Sequence, residues 1–244
     1  MVTLRDDDPL AVGLVRAIRA GDVTALTQLL DQHSGLASAR IQGPKVSRTP
    51  LHVAADWPGY FPNAPQVVRL LLDAGADPDA PVSGAAHAET ALHWAASSDD
   101  VEVAEALIDG GANIEAPGAS IAGGTPLDDA VGYGCWHVAR LLVARGARVD
   151  KLWHAAALGL LPRVVELLEA SPPPTSEDID EAFWQACHGS QRRTAEYLLS
   201  RGADLDAHPG YARETPFEIA GTLDTRTENL VTWLRGLGAT GRVS

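Results

Sequence analysis

Four segments of this 244-residue chain begin alike: Thr49-Pro50-Leu51-His52-Val53-Ala54-Ala55, Thr90-Ala91-Leu92-His93-Trp94-Ala95-Ala96, Thr125-Pro126-Leu127-Asp128-Asp129-Ala130 and Thr215-Pro216-Phe217-Glu218-Ile219-Ala220. A segment recurring every few tens of residues restricts the chain to a stack of similar units, each too small to bury its apolar face alone. Weaker copies, at Leu14-Val15-Arg16-Ala17, Leu152-Trp153-His154-Ala155 and Phe183-Trp184-Gln185-Ala186, fill the gaps. Most copies lead to a second apolar run ending in Gly-Ala, as at 67–76, 103–112, 138–147 and 194–203. Thr caps the first helix, and Pro suits its first turn, where a missing N–H costs nothing. Gly75, Gly111, Gly146 and Gly202 stand where the second helix must end in a left-handed residue.

These residues resemble the ankyrin Thr-Pro-Leu-His-x-Ala signature with its Val-Val-x-Leu-Leu-x-x-Gly-Ala second helix, over nearly the whole chain. The resemblance implies an all-α ankyrin-repeat solenoid of about seven helix–turn–helix units with short hairpin loops. One domain, 1–244, is expected, with repeats near 10–40, 47–87, 88–122, 123–149, 150–178, 179–212 and 213–241. The spacings depart from the family period of about 33 residues. Thr90 lies 41 residues after Thr49, and five of the extra residues fall between the two helices, within Trp57–Pro65. Thr125 follows Thr90 by 35, with the excess in the hairpin Pro117–Gly124. Leu152 follows Leu127 by only 25, so the hairpin "finger" after Gly146 is absent or a tight turn. Pro172-Pro173-Pro174 imposes an extended path on the next.

Composition excludes several functions. The formal charge of −13, from 19 Lys and Arg against 32 Asp and Glu, is the wrong sign for gripping phosphates and argues against nucleic acid. It favours partners with a basic or neutral face. Cys135 and Cys187 sit in unrelated contexts, and without a disulfide framework a reducing, cytoplasmic setting is expected. The N-terminus lacks the apolar core of a secretory signal. No apolar stretch approaches the roughly 20 residues that span a bilayer, so no membrane association is expected. No P-loop, zinc spacing or nucleophile motif is present, and no cofactor or metal is expected. Polar residues at both ends suggest capped termini and a monomer.

The family resemblance implies that the first helices and fingers line a concave binding face. The residue two after each leading Leu or Phe should point into it: Arg16, Val53, Trp94, Asp129, His154, Gln185 and Ile219. With the residues five and six after that Leu or Phe, the face gathers Trp57, Trp94, Asp129, Tyr133, His154 and His188, which are the candidate binding residues. Trp and Tyr supply large contact area at low entropic cost. The resemblance implies a scaffold that recognises another protein through this face, and the acidic charge adds a preference for a basic segment. The alternative is a small-molecule or enzymatic site in the central groove, with Asp129 orienting His154 as general base or acid. His52 and His93 are expected to make structural hydrogen bonds. Cys187 reads as core packing. Trp57 and Tyr60 are expected either to bind or to tuck the insertion onto its own repeat.

Overall fold

The computed structural model describes residues 2–220 and 225–239, apart from the side chains of 225–228. Contacts divide the chain into two compact units, Met1–Ala147 and Arg148–Ser244. The division falls within the stretch where the spacing loses its finger.

The first unit holds four helix pairs: α1 (Pro9–Ala20) with α2 (Val23–Gln32), α3 (Pro50–Ala54) with α4 (Ala64–Asp73), α5 (Ala91–Ser97) with α6 (Val101–Asp109), and α7 (Pro126–Gly132) with α8 (Trp136–Ala144). First helices stack on first helices and second on second, giving two layers. Small residues on the first helices allow this close stacking. Ala54, Ala55, Ala95, Ala96 and Ala130 are fully buried, with Leu51, Leu92 and Leu127 between them. The second helices contribute Val67, Leu71, Val103, Leu107, Val138 and Leu142, spaced for one apolar face.

A small sheet was not expected from the helical pattern. Strands β1 (Thr3–Arg5), β2 (Arg40–Gln42) and β3 (Ser47–Arg48) lie in that order, β1 parallel to β2 and β2 antiparallel to β3. The N-terminal segment thereby supplies a strand to the first finger. The acidic run that follows β1 starts a helix: Asp8 accepts the Leu10 N–H and caps α1.

The second unit holds α9 (Leu152–Ala157), α10 (Leu161–Leu168), α11 (Ser176–His188), α12 (Arg192–Ser200), α13 (Pro216–Ile219) and α14 (Thr225–Gly236). Helix α11 stacks on both α9 and α13, around a core that includes Phe183, Ala186, Cys187 and Leu198. It has 13 residues, against seven or fewer in α3, α5, α7, α9 and α13. It starts at Ser176, where Thr175 and Asp178 form a capping box. Among the described residues no helix is long and apolar enough to cross a membrane.

Candidate functional site

The capping threonines set the first helices. In α3 the Thr49 N–H donates to His52 Nδ1 at 3.3 Å, and Nε2 of the same ring donates to the Glu89 carbonyl at 3.0 Å. One histidine thus starts its own helix and ties it to the residue before the next repeat's Thr90. In α5 the Thr90 N–H donates to His93 Nδ1 at 3.0 Å. The His93 ring reaches toward the carbonyls of Ala116 and Gly124 without closing a hydrogen bond of good geometry. Burial holds both imidazoles neutral and pushes their pKa values down to about 4. These are structural histidines, as the signature implies.

Asp128 takes the signature position in α7. Its carboxylate accepts the Thr125 N–H at 2.7 Å and the Thr125 hydroxyl at 3.0 Å. Trp184 takes that position in α11, 5% exposed, and its indole N–H donates to the Glu214 carbonyl at 2.7 Å. Glu214 precedes Thr215 as Glu89 precedes Thr90, so the indole repeats the outer bond of His52.

The finger after α6 folds back onto α7. Ser120 Oγ donates to Asp129 Oδ1 at 2.8 Å, and the Ile121 N–H donates to the same oxygen at 3.1 Å. The Tyr133 hydroxyl lies 3.0 Å from Ser120 Oγ. Two glycines permit this approach. A Cβ on Gly132 would stand 2.9 Å from the Ile121 side chain, and Gly118 holds φ at +121° with the Ala88 carbonyl 2.6 Å from where a Cβ would be.

Asp129 is consequently fully buried under the finger rather than open to the groove. Its other oxygen, Oδ2, has no hydrogen-bond partner among the described residues. Burial raises the Asp129 pKa, opposed by the Ser120 and Ile121 hydrogen bonds. Beside it stands Glu89, half-buried, whose pKa is raised first by burial and next by the Asp129 charge. The nearby Trp94 side chain and His87 favour its charged form. The Trp94 ring packs edge-on against His52, centroids 4.9 Å apart, and remains partly exposed. Tyr133 is 55% exposed.

Four of the six candidate residues, Trp57, Trp94, Asp129 and Tyr133, lie in the first unit, and His154 and His188 lie in the second. Asp129 and Tyr133 are joined through Ser120, while the Asp129 charge and the Trp94 side chain both act on Glu89. Trp57 stands apart in the insertion between α3 and α4. That insertion is tied to the repeats before and after it. The Tyr60 N–H donates to Asp100 Oδ2 at 2.6 Å, the Tyr60 hydroxyl donates to the Asp99 carbonyl, and Asn63 Nδ2 donates to the Gly21 carbonyl at 3.0 Å. The Arg19 guanidinium lies 5.8 Å from the centre of the Phe61 ring and pairs with Asp56, which Arg48 also contacts. Tyr60 therefore tucks the loop down, while Trp57 is 77% exposed on it.

In the second unit His154 is 2% exposed, its ring 4.0 Å from that of Trp153. His188 is half-buried beside Trp184, ring centres 5.2 Å apart, and burial pushes its pKa down to about 4. Gln185 Nε2 donates to the Tyr211 hydroxyl at 3.1 Å, and that hydroxyl donates to Glu181 at 2.9 Å. A finger thus folds onto a first helix here too. Cys187 is fully buried and its thiol pKa is raised by burial, so it is inert packing.

Glu89, Ser120 and Tyr211 are the contributors that the sequence pattern passed over. Each belongs to a finger, whereas the pattern was followed along the helices. The immediate upstream neighbour of Thr90 was a usable signal, since the Nε2 of the preceding repeat's histidine must find its acceptor there.

Stacked helix pairs with Thr-capped first helices, Gly-ended second helices and back-folded fingers define a helical-repeat protein, and the chain belongs to the ankyrin-repeat family. Residues 81–151 match the family description "Ankyrin repeats (3 copies)" and residues 47–82 match "Ankyrin repeat". Among curated proteins the chain is similar to the B-cell lymphoma 3 protein homolog of Mus musculus, 30% identical over 156 residues, covering 62% of this chain and 32% of that protein. It is also similar to the fem-1 homolog A of Rattus norvegicus, 41% identical over 80 residues, covering 29% of this chain and 12% of that protein. The chain therefore spans a third or less of the length of these relatives. Among solved structures, the ankyrin repeat domain of Bcl-3, described as a member of the IkappaB protein family, superposes with a TM-score of 0.53 at 26% identity, covering 90% of this chain and 97% of that one.

Proposed function

We propose that this chain is a binding scaffold that recognises another protein, with a preference for a basic segment, through its first helices, its fingers and the 57–65 insertion. The observation that carries the reading is Trp57, 77% exposed on a loop bonded to both neighbouring repeats. A large aromatic side chain held on a fixed frame loses little entropy when it is covered, which is how interface hot spots work. Exposed Tyr133 and partly exposed Trp94 extend the aromatic surface. The net charge of −13 supports a basic partner. The buried free thiols of Cys135 and Cys187 support a reducing, cytoplasmic setting.

A catalytic pairing of Asp129 with His154 is not adopted. Asp129 Oδ1 is committed to Ser120 and Ile121, and the side chain is fully buried.

Partner capture from the native host tests the reading, with wild type beside Trp57→Ala. Loss of specific partners with the fold intact is the expected result. Equal recovery of the same proteins by both would remove Trp57 from the binding surface.

A further inference from the structure

The first unit carries two neighbouring carboxylates, Glu89 half-buried and Asp129 fully buried, and the cationic influence on Glu89 is that of His87. Neither Glu89 nor Asp129 makes an ion pair with a lysine or arginine among the described residues, whereas Asp7, Asp56, Glu105 and Asp109 all do. Asp129 is fully buried, and while Ser120 and Ile121 satisfy Oδ1, Oδ2 has no donor. A buried carboxylate oxygen left unpaired is costly, and the cost falls when a counter-charge arrives. Glu89, half-buried, is the accessible member of the pair. The His52 ring joins Glu89 and Trp94, bonding the Glu89 carbonyl through Nε2 and packing against Trp94, whose own ring stays partly open, and Tyr133 is exposed beside the finger.

We propose that Glu89 and Asp129, flanked by Trp94 and Tyr133, form a receptor for one basic side chain, a lysine or arginine of the bound protein segment. The inference rests on the reading of the chain as a protein-binding scaffold and assigns the residue type that its groove selects. The ammonium or guanidinium group contacts Glu89 directly, and its stem or plane lies against the Trp94 ring. The arriving cation favours the charged form of Asp129 against the burial that disfavours it, so that Asp129 adds its charge to the attraction. A metal ion is a poorer occupant. Calcium takes six to eight oxygen ligands, and no group of three or more acidic, histidine or cysteine ligands converges among the described residues.

The test uses the whole chain and two small probes of equal shape, N-acetyl-arginine amide and its uncharged analogue N-acetyl-citrulline amide. The Trp94 indole N–H resonance is assigned with Trp94→Phe and followed by NMR. The arginine probe is expected to move it saturably, with at least about tenfold tighter binding than the citrulline probe. Glu89→Gln is expected to remove that tenfold difference while the remaining indole resonances stay in place, which shows that the fold is kept. Equal response to the two probes, an unchanged preference in Glu89→Gln, or no movement of the Trp94 resonance overturns the proposal. So does a larger response to calcium chloride than to the arginine probe. If the arginine probe fails while Trp57→Ala still loses its protein partners, the receptor is wrong and the scaffold reading stands. If the probe binds as expected while Trp57→Ala recovers every partner, Trp57 leaves the surface and the receptor stands.

Discussion

His52 in the first unit and Trp184 in the second sit at the same place in the repeat and do different halves of one task. His52 caps its own helix through Nδ1 and bonds the next finger through Nε2. Trp184 keeps only the outer bond, to Glu214, and its helix starts eight residues before it, at Ser176, capped by Thr175 and Asp178. An indole has one N–H and no acceptor, so it cannot replace both ends of an imidazole. The consequence is a longer helix in the second unit, capped by a carboxylate, with a large apolar ring spent on cohesion. Asp128 shows the opposite economy. It keeps the cap and has no N–H for an outer bond, and it occurs in the repeat whose following finger is missing. The comparison teaches that the signature histidine is two separable devices, one local and one between repeats.

Acid should separate the two units most strongly. A histidine whose pKa is about 4 when folded and 6.5 when unfolded gains its proton on unfolding. Its contribution is intact above pH 6.5 and is lost as the pH falls toward 4. The slope reaches about 1.4 kcal/mol per pH unit for each such group. The first unit carries two, His52 and His93, and the second carries the half-buried His188. The raised pKa values of Glu89 and Asp129 act the other way, favouring the fold as they protonate, and offset part of the loss. Hydrogen exchange measured on peptides from each unit should show the first loosening more between pH 6.5 and 4. Equal loosening would mean that the histidine rings are not what distinguishes them.

Trp184→Ala comes next, removing a 5% exposed ring and its bond to Glu214. The expected loss is about 3–5 kcal/mol, seen as faster exchange across α11 and α13 with α3 and α5 unchanged. Asp129→Ala frees Ser120 and Ile121 of their acceptor, which should cost the finger about 1–2 kcal/mol. The readout is roughly tenfold faster exchange confined to residues near 118–124. An unaltered finger would show that the glycine geometry alone holds it down. Thr175→Ala should have the smallest effect, about 1 kcal/mol from the lost cap, visible as fraying of the first turn of α11. The same change at Thr49 should cost more, because His52 loses its partner there.

The helix pairs were legible because each carries its own punctuation: Thr before, Gly after, and apolar residues at helical spacing between. Even the extra finger residues were visible as arithmetic, although their destination was not. Sequence reasoning placed Asp129 in the open groove because it counted along α7 alone. The contact that buries it comes from Ser120 and Ile121, in a Gly- and Ala-rich stretch with no periodicity to read. Tyr60 and Trp57 illustrate the same limit. Both are aromatic and three residues apart, yet one bonds the Asp99 carbonyl and the other is open to solvent.

By itself the sequence determined the repeat, the place of the insertion and the lost finger, and the acidic charge. These depend on local backbone preferences and on a period written several times over. Only the tertiary structure decided that the fingers fold back onto the first helices, that Asp129 is a buried clasp, and that the Glu89 carbonyl and Trp94 meet at the His52 ring. Those outcomes depend on side chains meeting across repeats, where a hydrogen bond is made or missed over a fraction of an ångström and no spacing along the chain records it.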